Sequence, residues 1–278
     1  MSETIFMIHG MCLGGWCWDN YRSFFEAQGH RCITPTLRHH DVNPRGIVDP
    51  RLGTTSLLDY AQDLEAQIGK LDRVPILIGH SMGGLLAQIL ASRGLARALI
   101  LLTPAPPYGI VVLRPTVIRS YWSALTTWGF WKKSFRQTFD EAAYSMMHLL
   151  PPYERRTIYE KFVHESGRAG FEMGFWFLDR RKAAKVDASK INCPLLVIGA
   201  TQDRIVRPEV VRKVARKYRH VSTYKEFSNH AHWLIGEPGW CEVADFIAGW
   251  LQQALRQPCV EASGQAAAYN APKASPCR

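Results

Sequence analysis

The stretch ILIGHSMGGLLAQILA, residues 76–91, changes character in its middle. It begins as an apolar run suited to a strand buried on both faces of a parallel sheet, and it ends in a run of strong helix formers. Between the two, Gly79-His80-Ser81-Met82-Gly83 fits G-x-S-x-G, in which a serine occupies the tip of a tight strand-to-helix turn. A serine in such a turn takes strained dihedrals, and its neighbours must lack bulk for the turn to close. Gly79 and Gly83 supply that room. The Ser81 hydroxyl is then lifted clear of the sheet toward a helix amino terminus, whose partial positive charge favours a developing oxyanion. An incidental serine in a glycine-rich turn would not need both the strand before and the helix after. Ser81 is therefore the candidate nucleophile.

Outward from this turn, short apolar runs alternate with helical periods. Strands are expected at about residues 4–8, 31–35, 74–79, 97–103, 193–199 and 221–227. Leu57, Ala61, Leu64 and Ile68 share one helical face, with Thr55 or Ser56 available as N-cap. Further helices are expected after Ser81, from about Pro208 to Tyr218, and from Pro238 to about Leu255, with each proline in a first turn. This alternation predicts an α/β fold with a doubly wound, mostly parallel sheet.

The alternation breaks once. From about Ala105 to Lys190 no strand pattern is legible, and large aromatics crowd the segment: Tyr121, Trp122, Trp128, Phe130, Trp131, Phe171, Phe175, Trp176 and Phe177. The expected organisation is a core of residues 1–104 and 191–256 with a helical cap at 105–190. A small, polar, proline-containing stretch at 257–278 reads as a disordered tail. The cap carries fourteen Lys and Arg against eight Asp and Glu, a net +6 of the chain's +10. Its aromatics either pack as lid core under solvated charges, or wall an apolar pocket whose basic rim steers anionic substrates.

Composition narrows the classes. A chain of 278 residues, 47% hydrophobic and 21% charged, is that of an ordinary globular protein. The opening MSETIFMIHG does not read as a signal peptide, and no long apolar run predicts a membrane span. Seven scattered cysteines form neither a disulfide framework nor a zinc-site spacing. Basic residues are spread along the chain, so solvated helix faces explain them better than a nucleic-acid surface does. The expectation is a cytoplasmic protein acting on a small molecule, with neither metal, cofactor, nucleic acid nor membrane as partner.

Serine at its ordinary pKa cannot attack an ester at neutral pH, so Ser81 needs a base and an acid that orients it. Around an elbow of this kind the chain order is Ser, Asp or Glu, then His. The strand CPLLVIG runs into GATQDRIVRP and places Asp203 in the loop at its carboxyl edge, where open α/β sheets assemble their sites. Asp203 could alternatively cap the following turn. No carboxylate follows the strand ending LLTPAPP, which strengthens Asp203. The last strand, TYKEF, runs into SNHAHW, so the base is His230 or His232. An oxyanion hole requires two backbone N–H donors: Met82, which follows the nucleophile, and Met11, in the glycine-rich loop opened by His9-Gly10. His9 precedes that turn and reads as a loop-fixing hydrogen-bond partner.

These residues together resemble the α/β-hydrolase superfamily over about residues 4–255. HGMCLGGWCWDNYRSFFEAQGHRCITPTL is similar to the opening of its plant methylesterase and hydroxynitrile lyase branch and bacterial relatives. The resemblance implies a sheet without the leading hairpin of the full eight-stranded form, and a lid after LLTPAPP. It also implies His232 as the base, since an aromatic (Trp233), a Glu five residues on (Glu237) and a helix-starting Pro (Pro238) follow it at the family's spacing. The lyases carry a hydroxyl residue where Met11 stands and a lysine after the histidine, which disfavours lyase chemistry here. What the resemblance implies is a serine hydrolase cleaving an ester, thioester or lactone through a Ser81 acyl-enzyme, with no cofactor. The alternatives are a non-hydrolytic ligand sensor on the same fold and a lyase of the hydroxynitrile lyase type.

Overall fold

A computed structural model describes residues 2–256; the expected tail at 257–278 lies outside the described residues. Six strands form one wholly parallel sheet in the order β2-β1-β3-β4-β7-β8. They are β1 (Thr4–Ile8), β2 (Arg31–Ile33), β3 (Ile76–His80), β4 (Ala98–Leu102), β7 (Leu195–Ala200) and β8 (Ser222–Phe227). The central strands β3, β4 and β7 are buried at every residue, which is why their sequences read as unbroken apolar runs. Edge strand β2 is only three residues long and half exposed, shorter than the expected 31–35.

Helices cover the faces: α1 (Asp19–Glu26), α2 (Leu57–Ile68), α3 (Met82–Ala91), α9 (Pro208–Lys217) and α10 (Trp240–Ala254). Ser56 caps α2 in a full capping box, with Asp59 reaching back to the Ser56 N–H. Helix α3 is buried along its whole length, packing beneath the sheet. Helix α10 starts two residues later than expected, because Gly239 (φ +87°) turns left-handed ahead of Trp240 and a side chain there would press on the His230 ring.

Between β4 and β7 lie α4 (Pro115–Ser120), α5 (Trp122–Leu125), α6 (Phe139–Ser145), α7 (Pro152–Glu160) and α8 (Gly167–Gly174). This segment also holds what the sequence did not announce, an antiparallel ribbon of β5 (Ser134–Phe135) and β6 (Glu165–Ser166). Two-residue strands show no periodicity, and one of these carries a buried carboxylate where an apolar residue would be looked for. The segment is fastened to the sheet domain by buried polar contacts. Glu172 accepts from Ser56 Oγ at 2.9 Å and from the Leu57 N–H at 2.8 Å, and Ser166 Oγ donates to the Thr55 carbonyl at 2.6 Å.

The chain leaves β1 toward β2 on one side, then returns to set β3 on the other. That reversal opens a crevice at the carboxyl ends of β1 and β3, the place where doubly wound sheets bind ligands. Ser81 follows β3 and Met11 follows β1, so both stand at this switch point.

Candidate active site

The elbow forms because its neighbours cannot be larger. A Cβ on Gly79 would collide with the Gly83 backbone, one on Gly83 with the carbonyls of Ile8 and His9, and one on Gly84 with Pro104. Ser81 itself adopts φ +52°, ψ −120°, a conformation costly for a residue with a side chain. Ladder-like bonds hold it there: the Ser81 N–H donates to the Leu102 carbonyl at 3.1 Å, and its own carbonyl accepts from Ala105 N–H at 2.9 Å. Although Ser81 occupies the N-cap of α3, its hydroxyl makes no capping bond, and the residue lines a cavity walled largely by the segment between β4 and β7.

Asp203 and His232 come together across two loops. His232 Nδ1 donates to Asp203 Oδ2 at 2.7 Å, with both side chains buried. Asp203 Oδ1 accepts from the N–H groups of Ile205 (2.7 Å) and Val206 (2.9 Å). The two sequence readings of Asp203 are thus compatible, since one oxygen caps the turn and the other faces the imidazole. His232 Nε2 is buried and has no hydrogen-bond partner among the described residues. A ring with Nδ1–H fixed on a carboxylate presents Nε2 as an acceptor, ready to take a proton.

His230 is not exposed. It is buried, its Nδ1 lies 2.9 Å from Glu237 Oε1, and the same oxygen accepts from the Ala231 N–H at 2.7 Å. The Gln202 N–H also donates to the His230 carbonyl, tying the Asp203 loop to this one. Its ring is thus engaged in holding the loop. The structure does not bring it to Asp203.

The loop after β1 packs directly on the elbow. A Cβ on Gly10 would stand 3.0 Å from Ser81 Cβ. The backbone N–H groups of Met11 and Met82 make no hydrogen bond among the described residues, so both donors are free. His9 is fully buried, donating from Nδ1 to the Gly10 carbonyl (2.8 Å) while Nε2 accepts from Leu37 N–H (3.0 Å). Burial first, then the nearby His40 charge, lowers its pKa to about 3, so His9 stays neutral.

The cavity above Ser81 is walled by Met11, Val117, Tyr121, Phe130, Phe135, Met173, Phe175 and Ile205 among others, and no charged side chain among the described residues lines it. The aromatics of the segment divide by position. Tyr121, Phe130 and Phe175 face the cavity, Trp131 meets Phe130 edge-on and Phe171 packs against it at a tilt, and Trp122, Trp128 and Phe177 stand exposed. No cluster of His, Cys, Asp and Glu able to hold a metal occurs among the described residues, whose five cysteines are all unpaired. No helix among them is long and apolar enough to cross a membrane.

Two contacts of the candidate site escaped the sequence. His80 Nε2 donates to the His232 carbonyl at 2.8 Å, binding the elbow to the histidine loop. His80 sits inside the quoted motif, but nothing in the sequence says which way its ring turns. Glu237 was legible only as a spacing marker; its position against His230 comes from the tertiary fold.

The sequence profile of the Alpha/beta hydrolase family matches residues 5–245, and the chain belongs to that family. Within it, the chain is similar to Methylesterase 8 of Arabidopsis thaliana, 33% identical over 91 residues, which is 32% of each protein. The matched stretch therefore spans about a third of the curated relatives' length. Its fold is also that of a methylesterase from Arabidopsis (TM-score 0.67, 12% identity, covering 90% of this chain and 99% of that one). A pyrethroid hydrolase from Sphingobium faniae shares it too (TM-score 0.67, 18% identity, covering 92% and 100%).

Proposed function

We propose that the protein is a serine-dependent carboxylic ester hydrolase. The observation that carries this reading is His232, clamped to Asp203 through one ring nitrogen, with the other buried and without a partner among the described residues, and with its backbone carbonyl tied to the residue before Ser81. Ser81 Oγ attacks the acyl carbon as His232 Nε2 takes its proton. Asp203 keeps the imidazole in the tautomer that can accept, and stabilises the imidazolium that results. The Met11 and Met82 N–H groups receive the oxyanion. The bond from the acyl carbon to the leaving oxygen (sulfur in a thioester) breaks as His232 returns the proton to that atom, and water repeats the sequence on the acyl-enzyme, releasing the acid and restoring Ser81.

The substrate is an ester, thioester or lactone of a small to medium, apolar or aromatic acid. Methylesterases and other esterases among the relatives support ester chemistry. The uncharged, aromatic-rich cavity supports an apolar acyl group and gives the basic surface no part in holding it. Residues 105–190 act as a cap that closes this pocket over the core. A labelled fluorophosphonate should modify Ser81 and no other serine, and p-nitrophenyl esters should turn over many times. Ser81→Ala should lose on the order of 10⁴–10⁶ in rate while remaining folded. A wild-type protein that takes no label, or stops after one turnover, would be a ligand-binding member of the fold.

A further inference from the structure

Glu165 is a fully buried carboxylate that the proposed chemistry does not use. Donors surround both of its oxygens. Oε1 accepts from the Tyr60 hydroxyl (2.8 Å) and the Ser166 N–H (2.7 Å), while Oε2 accepts from His40 Nε2 (3.1 Å) and the Cys12 N–H (3.3 Å). His40 Nδ1 faces the Arg38 carbonyl at 2.9 Å. Both nitrogens of that ring meet acceptors, so it is an imidazolium and the pair is ionic. Burial alone would disfavour both charges, but their mutual attraction prevails, raising the His40 pKa and lowering that of Glu165.

The same segment grips Cys12 a second time, through Val163 N–H to the Cys12 carbonyl at 3.0 Å. Cys12 has φ +62°, a left-handed conformation that a residue with a side chain keeps only where its surroundings impose it. It directly follows Met11.

We propose that Glu165 is a positioning residue for the oxyanion loop: reaching in from the segment between β4 and β7, it fixes the turn at Cys12 and thereby aims the Met11 N–H. The inference rests on the reading of Met11 as an oxyanion donor. It couples that segment to the reacting atoms without Glu165 touching substrate.

Glu165→Gln keeps the shape, but whichever way the amide lies its NH₂ meets two donors. Loss of one oxyanion donor costs about 10²–10³ in kcat, so a misaimed donor should cost roughly tenfold or more. KM should stay within about twofold, and affinity for a trifluoromethyl ketone, which mimics the tetrahedral adduct, should fall by the same factor as kcat/KM. A role in stability alone would lower the melting temperature or the fraction of sites titrated by fluorophosphonate. It would leave kcat per titrated site and ketone affinity unchanged, and that result overturns the proposal. If the variant does not fold, Tyr60→Phe, which removes one of the four donors, should show a few-fold loss with the same split; an unchanged kcat there also overturns it. A wild-type protein that neither labels nor turns over esters removes the serine reading and this inference together. An active wild type matched by an equally active Glu165→Gln removes only the inference.

Discussion

His80 and His232 are joined ring to backbone: His80 Nε2 donates to the His232 carbonyl oxygen at 2.8 Å, and the two rings lie 4.9 Å apart. Since a carbonyl only accepts, His80 carries its proton on Nε2. Its Nδ1 is buried without a partner among the described residues, and burial holds its pKa well below the ordinary histidine value. A neutral histidine thus fastens the elbow to the loop bearing the proposed base.

His80 and His9 both remain neutral in the folded protein well below pH 6.5, while in the unfolded chain each takes a proton near 6.5. The unfolded state then binds more protons, so stability is full above about 6.5 and falls as pH drops toward the folded values, by up to ~1.4 kcal/mol per pH unit for each histidine. His40, raised by Glu165, works in the other direction and loses its contribution as pH climbs past its folded pKa. Denaturant midpoints should therefore fall between pH 6.5 and 4.5, and His9→Asn should flatten that slope by about one proton. An unchanged slope in the variant would contradict the neutral assignment of His9.

The histidine pair separates by substitution. His232→Gln should lower kcat on the order of 10⁴ or more, comparably to loss of the nucleophile, because the groups act as a unit. His230→Gln should cost far less in rate while lowering the melting temperature, since it breaks the bond to the buried Glu237. Steady-state kinetics on folded protein decide the matter; the reverse ranking would reassign the base.

Asp203→Asn should keep the turn, because the amide oxygen can still accept from the Ile205 and Val206 N–H groups. The amide NH₂ then faces His232 Nδ1 and reverses the tautomer, so kcat should fall roughly 10⁴-fold at little cost in melting temperature. A loss below about tenfold would mean that another group orients the imidazole.

Gly170 sets the free space in the pocket. A Cβ there would come nearest Phe135 at 3.4 Å and Met11 at 3.6 Å, ordinary contacts with two residues that line the same cavity. Gly170→Leu should fill the cavity, lowering kcat/KM for hexanoate or benzoate esters at least tenfold while acetate hydrolysis changes little; one or two lost methylenes of pocket are worth about 1–3 kcal/mol. Wild-type turnover of neutral esters should also be insensitive to salt, as the lining carries no charge. If the variant loses acetate and hexanoate equally, the acyl group lies elsewhere.

Much of this was decided by local chemistry and so was written in the chain. The elbow could be read because steric closure of one turn demands glycines at fixed positions around Ser81. The buried strands could be read because burial on two faces demands unbroken apolar runs. Asp203 followed from strand order and from the lack of a rival carboxylate after β4. The choice between His230 and His232 could not be made by local chemistry, as both are buried histidines of one short loop. The sequence favoured His232 only through a family spacing. What distinguishes them is a contact across 29 residues with Asp203 for one and a pairing with Glu237 for the other. Glu165 was the least legible of all. Ser166 is its neighbour in the chain, but Cys12, His40 and Tyr60 lie 153, 125 and 105 residues away, and only the folded arrangement gathers four donors round one carboxylate. Backbone geometry and burial act on neighbours in sequence. Desolvated charge is satisfied only by neighbours in space, which is why the sequence by itself determined the scaffold and singled out the candidate nucleophile, while the tertiary structure decided the pairing of the histidines and the buried contacts of Glu165 with the loop after β1.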